Sequence, residues 1–334
     1  MEYDAALYEV FEEEGELLRE HLPSDLRCYF TRNTIQDEGH ESPPARLISI
    51  RTQSRIPYSW GEQTGGIFTR STGYDHLVRY RNAIAHEVRI GYLPRYASRA
   101  VAEHIFMIML MLLRKVDEQR RAVKTFSRDG LTGSELEGKR LSVIGVGNIG
   151  SEVVKIGAGF GMNLCGVDLV ERREMVRKFD LQYLALEESV EKGDIIACCL
   201  PLTDDTEGLL DYDLLSRASR GTILINAARG EITPPGDLIR LLEEGRLGGL
   251  GLDVYDEESL LAGYLRGHLS LEEIETPVER GSLESTLRLL DHPGVIVTPH
   301  NAFNTLESTR RKARRTAENI RYYQDRGEFL TPVP

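Results

Sequence analysis

The stretch that decides the fold is LSVIGVGNIG, residues 141–150, in which a short apolar run leads into three glycines. In a strand–turn–helix unit the first glycine makes the tight turn and the second lets the backbone approach a pyrophosphate. The third allows the helix to pack closely on the strand, and the helix N-terminus supplies N–H donors to the phosphates. The pattern predicts a dinucleotide-binding loop whose cofactor contacts are Gly145, Gly147, Asn148, Ile149 and Gly150.

An acidic residue follows this loop at the distance that a dinucleotide site requires. Asp168 ends the next predicted strand, 18 residues after Gly150. Its carboxylate can accept hydrogen bonds from both adenosine-ribose hydroxyls and repels a 2′-phosphate, so we predict NAD as the cofactor. Arg172 and Arg173 can instead hold a phosphate, which keeps NADP as the alternative.

Bulk composition limits the class of protein. A chain of 334 residues, 41% of them hydrophobic, is long enough for two domains, and a formal net charge of -12 argues against nucleic acid or anionic lipid as a partner. The four cysteines lack metal-ligand or disulfide spacing, so we predict no metal and a reducing compartment. The longest apolar run, Ile105 to Leu113, is too short to span a bilayer. We therefore expect a soluble cytoplasmic protein without a membrane partner.

Apolar runs alternate with helical stretches along the chain, which predicts parallel sheets. In the first hundred residues the predicted elements are the helix Glu12 to His21 and the strands Ala5 to Val10, Asp25 to Phe30, Arg46 to Ile50, Gly66 to Thr69 and Glu87 to Gly91. Six further strands are predicted at Arg140 to Ile144, Leu164 to Asp168, Ile195 to Leu200, Thr222 to Asn226, Gly249 to Asp253 and Val295 to Thr298. The predicted helices of this half include Asn148 to Phe160 and Gly236 to Glu244, and Thr233 is the predicted N-cap of the second. Ser98 is the predicted N-cap of an earlier long helix. The tail from Leu306 to Gly327 is also predicted to be helical.

Three motifs put polar side chains beyond the carboxyl ends of predicted strands, where open α/β sheets bind ligands. They are Asn226-Ala227-Ala228-Arg229-Gly230, Leu252-Asp253-Val254-Tyr255 leading to Glu258, and Thr298-Pro299-His300. With the glycine loop they resemble the D-isomer-specific 2-hydroxyacid dehydrogenase family. Supporting matches are Thr69 to His76, Ala100 to His104, Gly138-Lys139 and Leu200 to Thr203 with Thr206, so the resemblance covers nearly the whole chain. Within the family the chain looks most like D-lactate dehydrogenases.

The resemblance implies an NAD-dependent enzyme that reversibly reduces a small 2-keto acid to the D-2-hydroxy acid. It implies that His300 is the general acid-base, that Glu258 hydrogen-bonds its imidazole, and that Arg229 binds the substrate carboxylate. Glu257 stays open as an alternative to Glu258, because consecutive acids obscure the register. The other implied contacts are Pro201, Thr206, Ala227 and Asp253 for the cofactor, and Arg51, Thr72, Gly73, Tyr96 and Phe303 for the substrate.

The resemblance also implies an architecture of two doubly wound parallel-sheet α/β domains around a cleft. We expect a flavodoxin-like substrate-binding domain at residues 1–98 and 302–334, and a Rossmann NAD-binding domain at 99–301. The helix from Ala100 to Leu113 suits the homodimer that is usual in the family.

Several alternatives remain open at this point. Arg51 either receives a second carboxylate or phosphate of the substrate or pairs with local acids. The enzyme can instead be a glyoxylate or hydroxypyruvate reductase, or a phosphorylated-hydroxyacid dehydrogenase. A protein of another class with the same fold, an NAD-sensing corepressor, would keep the same residues. His76 and His104 are expected to be structural hydrogen-bonding residues, and the segment from Asp256 to Asp291 is expected to contain helix.

Overall fold

The computed structural model describes residues 2–334. It divides into two compact units, one formed by Met1–Ala97 with Asn304–Pro334 and the other by Ser98–Phe303. The expected domain boundaries, at 98/99 and 301/302, therefore differ from these by one and two residues.

The first unit is built on a five-stranded parallel sheet with strand order β2-β1-β3-β4-β5. Its elements are β1 (Ala5–Leu7), α1 (Glu12–His21), β2 (Cys28–Phe30), α2 (Ile35–Glu38), β3 (Leu47–Ile50), β4 (Gly66–Thr69), α3 (Asp75–Ala83) and β5 (Arg89–Gly91). Every residue of β1, β3 and β4 is buried, as expected for a sheet covered on both faces.

The predicted strands of this unit are present but four of the predictions were too long. The sequence predicted β1 to reach Val10, whereas the strand ends at Leu7 because Glu9 takes a left-handed backbone conformation with φ 56°. In that conformation the Glu9 carboxylate accepts hydrogen bonds from the backbone N–H groups of Arg51, Gln53 and Ser54 at 2.9–3.1 Å. The turn after β3 is therefore tied to the turn after β1.

The second unit contains a seven-stranded parallel sheet with strand order β12-β11-β10-β9-β6-β7-β8. Its first half comprises α4 (Ser98–Leu113), α5 (Val116–Ala122), β6 (Arg140–Ile144), α6 (Asn148–Gly159), β7 (Asn163–Val167), α7 (Arg173–Phe179), β8 (Gln182–Tyr183), α8 (Leu186–Lys192) and β9 (Ile195–Cys198). Its second half comprises α9 (Tyr212–Leu215), β10 (Thr222–Asn226), α10 (Pro235–Glu243), β11 (Leu247–Leu252), α11 (Glu258–Leu265), α12 (Pro277–Leu290) and β12 (Val295–Val297).

Three details of this unit correct the sequence predictions. The sheet has seven strands instead of six, because the two-residue strand β8 is too short to leave a periodic signal. Pro234 is the N-cap residue of α10, whereas the Thr233 hydroxyl hydrogen-bonds the Gly230 carbonyl and accepts from the Asn226 amide. Helix α4 includes Ser98, so Ser98 is not its N-cap. The segment from 256 to 291 does contain helix, as expected, with a small core of Leu261, Ile274 and Leu283.

The chain returns to the first unit through α13 (Leu306–Arg326), which packs on α1. Lys312 on α13 lies 2.8 Å from Glu14 Oε2 on α1, and Arg70 Nε lies 2.9 Å from Glu14 Oε1. All three side chains are at most 1% exposed. The positive charges of Lys312, Arg70 and Arg51 outweigh the effect of burial, which by itself raises the pKa, and lower the pKa of Glu14 to about 2. A buried ionic cluster therefore joins the two ends of the chain.

Among residues 2–334, no helix combines the length and apolar character that crossing a bilayer requires.

Candidate active site

The carboxyl ends of six neighbouring strands of the second unit are in register. Val167 pairs with Ile144, Ile144 with Cys198, and Cys198 with Asn226. Asn226 in turn pairs with Leu252, and Leu252 with Val297. The polar motifs that follow these strands therefore emerge at one edge of the sheet, which is where doubly wound sheets bind their ligands.

The glycine loop has the geometry that its spacing predicted. Gly145 has φ 94°, a conformation that glycine adopts without strain. A Cβ atom at Gly150 would lie 2.0 Å from the Gly145 carbonyl oxygen, so only glycine allows α6 to start this close to β6. At Gly147 a Cβ atom would meet nothing within 4 Å, which leaves that backbone open to a ligand.

The first turn of α6 is available for a pyrophosphate, because Gly147 is its N-cap residue and no side chain caps the helix. Asn148 and Ile149 form that turn and are half-buried. The residues therefore fit a dinucleotide by their backbone shape and by the N–H donors of the helix N-terminus.

The remaining predicted cofactor residues also follow strand ends. Asp168 lies just beyond β7 and is half-buried, and its Oδ1 atom accepts a hydrogen bond from the Val170 N–H at 3.0 Å. The turn after β9 is closed by Thr206, whose hydroxyl donates to the Pro201 carbonyl at 2.7 Å and accepts from the Thr203 N–H at 2.8 Å. Ala227 is half-buried immediately after β10.

Arg229 is presented by a turn that Asn226 organises. The Asn226 side chain accepts from the Ala228 N–H at 3.0 Å and donates to the Arg229 carbonyl at 2.8 Å. Next in sequence, Gly230 packs against the backbone after β11, where a Cβ atom would lie 1.9 Å from the Tyr255 carbonyl carbon. The turn carrying Arg229 is therefore held directly against the turn that leads to Glu258.

His300 and Glu258 form a pair. His300 Nδ1 lies 2.8 Å from Glu258 Oε2, and both side chains are partly exposed, at 29% and 25%. Because a carboxylate only accepts hydrogen bonds, Nδ1 carries the proton, and Nε2 is the ring nitrogen left for a ligand. Glu257 is instead the left-handed residue that precedes α11, with φ 50°.

The loop from Thr298 to Ala302 is fixed mainly by Asp253, which is 1% exposed. Asp253 Oδ1 accepts from the Thr298 hydroxyl at 2.6 Å and from the Asn301 N–H at 2.8 Å. Its Oδ2 accepts from the Ala302 N–H at 2.8 Å. Tyr255 adds a bond from its hydroxyl to the Thr298 carbonyl at 2.8 Å. Burial and the charges of Asp253 and Glu258 raise the pKa of Tyr255, so its hydroxyl keeps the proton that it donates.

The predicted substrate residues are divided between the two units. In the second unit, the Phe303 ring makes an edge contact with His300 at 6.5 Å between centroids. In the first unit, Arg51 follows β3 and places its guanidinium 4.4 Å from the centre of the Phe11 ring. Thr72 follows β4 and donates its hydroxyl to the Leu93 carbonyl at 3.2 Å, and the neighbouring Gly73 carbonyl accepts from the Ser71 hydroxyl at 2.6 Å. The Tyr96 side chain is 3% exposed, and its carbonyl accepts from Arg311.

Sequence reasoning missed the residues that support this site. Asn226 and Tyr255 hold the turns that carry Arg229 and His300, and neither was expected to have a role. Asparagine favours turns in which its side chain hydrogen-bonds the nearby backbone. This preference is a signal that identifies Asn226. The bond from Tyr255 to Thr298 joins residues from two strand ends and has no local signal.

A doubly wound parallel sheet with this glycine loop, and with an arginine and a histidine–glutamate pair beyond the ends of three neighbouring strands, is the arrangement of a nucleotide-dependent dehydrogenase. Residues 106–302 match the model of the D-isomer specific 2-hydroxyacid dehydrogenase family, NAD binding domain. The chain belongs to this family of NAD-dependent dehydrogenases, and both the fold class and the NAD cofactor predicted from the sequence are confirmed.

Individual relatives agree with this assignment. The chain is 32% identical over 240 residues to a D-3-phosphoglycerate dehydrogenase of Bacillus subtilis, covering 71% of this chain but only 41% of that protein. It is 33% identical over 248 residues to a D-lactate dehydrogenase of Streptococcus agalactiae, covering 73% of this chain and 71% of the relative. The crystal structure of D-lactate dehydrogenase from Aquifex aeolicus, complexed with NAD and lactic acid, superimposes with a TM-score of 0.83 at 28% identity, covering 98% and 99% of the two chains.

Proposed function

We propose that this protein catalyses the reversible, NAD-dependent reduction of a small 2-keto acid to the D-2-hydroxy acid, in the manner of D-lactate dehydrogenases. The observation that carries the proposal is the 2.8 Å pair between His300, which follows β12, and Glu258, which follows β11. Strand β11 lies between β12 and β10, the strand that presents Arg229. Support also comes from the similar proteins that act on D-lactate.

His300 is the proton donor in the reductive direction. NADH, when bound, would provide the hydride for the carbonyl carbon. His300 Nε2 gives its proton to the carbonyl oxygen. Glu258, bonded to Nδ1, fixes the orientation of the ring. In the oxidative direction the same Nε2 atom accepts the hydroxyl proton.

Arg229 binds the carboxylate of the substrate and polarises the neighbouring carbonyl. A guanidinium is planar and permanently charged, so it can form two parallel hydrogen bonds with a carboxylate. The bonds from Asn226 and the close packing of Gly230 hold the backbone of Arg229 in one arrangement. This rigidity suits a group that must align the carbonyl carbon for hydride transfer.

We assign substrate binding in the first unit to Arg51, Tyr96 and the backbone N–H groups of Thr72 and Gly73, and in the second unit to Phe303. The first unit is then the substrate-binding domain and the second the NAD-binding domain. Pro201, Thr206, Ala227 and Asp253 complete the cofactor contacts. These roles rest on the match between this sequence and the motifs of the family.

The decisive experiment measures the oxidation of NADH and of NADPH at 340 nm with a panel of 2-keto acids that includes pyruvate, glyoxylate, hydroxypyruvate and a phosphorylated member. Turnover of unsubstituted keto acids with NADH, giving a product that a D-specific enzyme reoxidises, is the expected result. If no member of the panel is reduced although NADH binds, the catalytic proposal is wrong and an NAD-sensing role is favoured.

We also propose that the chain forms a cytoplasmic homodimer through the α4–α5 region. Met107, Val123 and Phe126 in and near these helices are 41%, 70% and 80% exposed, which is unusual for large apolar side chains grouped along the chain. The cytoplasmic part of the proposal rests on the spacing of the four cysteines, which does not suit a disulfide framework. Light scattering should give the mass of a dimer for the parent protein and a lower mass for Phe126→Asp. A monomeric parent at micromolar concentration would contradict the proposal.

A further inference from the structure

A chain of hydrogen bonds connects helix α4 with the loop that carries His300. It begins at His104 on α4, whose Nε2 atom lies 2.9 Å from the Thr298 hydroxyl. The same hydroxyl lies 2.6 Å from Asp253 Oδ1, and Asp253 accepts the backbone N–H groups of Asn301 and Ala302. His104 is thus linked to the residues on both sides of His300.

The protons in this chain have one possible order. The Asp253 carboxylate can only accept hydrogen bonds, so the Thr298 hydroxyl must donate to it. The hydroxyl has a single proton, and its oxygen must therefore accept from His104 Nε2. Burial lowers the pKa of His104, although the charge of Asp253 opposes this effect. Neutral His104 accordingly takes the tautomer with its proton on Nε2.

The loop needs such support, because His300 takes a left-handed backbone conformation with φ 49°. Residues other than glycine adopt this conformation only when the surrounding structure enforces it. The enforcing contacts are the two N–H bonds that follow His300 and the bond of Thr298 that precedes it. All three end on the Asp253 carboxylate, so the orientation of that carboxylate fixes the position of the imidazole.

We propose that His104 is a positioning residue for His300: its Nε2–H fixes the Thr298 hydroxyl, which orients Asp253 and thereby holds the catalytic ring in place. This inference rests on the proposed function and adds a residue to it. His104 was expected to be only a structural hydrogen-bonding residue. The geometry points to a more specific role, since the bond acts through two further groups on the proton donor itself.

The test compares four variants of the full chain. His104→Leu removes the donor, whereas His104→Gln places an amide N–H near the position of Nε2. Thr298→Val removes the hydroxyl at nearly constant shape, and the His104→Leu/Thr298→Val pair measures whether the two losses are independent. His268→Leu is the control, because His268 is an exposed histidine of the same unit. The readouts are kcat and the KM for NADH, the melting temperature, and hydrogen exchange of the Asn301 and Ala302 amides.

We expect His104→Leu and Thr298→Val each to lower kcat about tenfold. This is the rate effect of losing the free energy of roughly one hydrogen bond that positions His300. The KM for NADH should stay within about twofold, because neither His104 nor Thr298 is among the proposed cofactor contacts. His104→Gln should restore most of kcat. The double variant should lose much less than the product of the two single losses, because both changes act on the Asp253 carboxylate, which His104 Nε2 also approaches to 3.5 Å.

Three results would overturn the inference. They are a lower melting temperature with unchanged kcat, a raised KM for NADH with unchanged kcat, and equal losses in His104→Leu and His104→Gln. If the parent reduces no 2-keto acid, the proposed function has failed. Hydrogen exchange then tests the positioning role of His104 on its own. Faster exchange of the two amides in His104→Leu but not in His104→Gln would still support the positioning role, and equal exchange in all variants would refute it.

Discussion

Replacing Glu14 by glutamine should destabilise the first unit strongly. Glu14 is the carboxylate that pairs with both Arg70 and Lys312, and none of the three side chains is more than 1% exposed. Arg70 also donates to the Ser49 hydroxyl at 3.0 Å and to the Glu9 carbonyl at 3.1 Å. In the sequence, Arg70 immediately precedes the loop that contains Thr72 and Gly73. Glutamine keeps the shape of the side chain and removes only its charge, which leaves the Arg70 guanidinium buried without its carboxylate partner.

The expected loss follows from this burial. Removing one partner of a buried ion pair costs about 3–5 kcal/mol, because the remaining charge keeps its desolvation penalty. For a folding unit of this size that corresponds to a fall in melting temperature on the order of 10 °C. Circular dichroism with urea and heat would measure it, and Glu16→Gln is the control, since Glu16 lies on the same helix but is exposed. Adding Lys312→Met to Glu14→Gln should recover part of the loss.

The charge of Glu14 also determines how the free energy of unfolding changes at acidic pH. The folded-state pKa of Glu14 is lowered to about 2 from 4.5, so between these values the unfolded chain binds more protons than the folded one. The stabilisation is therefore complete above pH 4.5 and is lost as the pH falls toward 2. Glu14→Gln should show a flatter pH dependence in this range. A Glu14→Gln variant within about 1 kcal/mol of the parent at pH 7 would refute the assignment of a buried, charged cluster.

Four further predictions concern the site. His300→Ala should lower the rate of keto-acid reduction by roughly 10²- to 10⁴-fold; a loss below about tenfold would contradict the acid-base role. Glu258→Gln should change the pH dependence of kcat/KM, and Glu257→Gln should leave it as in the parent; the reverse outcome would exchange their roles. Gly230→Ala should lower both activity and melting temperature, because its Cβ atom would lie 1.9 Å from a backbone carbon, and a parent-like variant would contradict this packing. Asp168→Asn should raise the use of NADPH relative to NADH in steady-state assays, since it removes the charge that repels a 2′-phosphate; an unchanged ratio would argue against that role.

Features with a local cause could be predicted from the sequence. The roles of Gly145, Gly147 and Gly150 depend on the backbone of a single turn, so their spacing was sufficient. The parallel sheets followed from the alternation of apolar runs and helices. The end of β1 was missed because it depends on Glu9 reaching the backbone of residues 51–54, which is a long-range interaction.

The site itself was predictable only in part. Placing Arg229 and His300 needed the strand ends to be in register, which parallel pairing imposes. Asp253 was expected to support the cofactor or the loop, and both of its oxygens accept hydrogen bonds from the loop around His300. That arrangement depends on two strand ends lying side by side and on a left-handed residue between them. No sequence pattern encodes either condition directly.

The pairing of Glu14 with Lys312 has a consequence for biosynthesis. A chain emerging from the ribosome presents α1 early, then the whole of residues 98–303, and only afterwards α13. Domains generally fold as units in the order in which they are made. The second unit can complete its sheet during translation, but in the first unit the Oε2 atom of Glu14 gains Lys312 as its partner only after α13 has been synthesised. Truncated chains that end before α13 should therefore contain a folded second unit and an unfinished first unit.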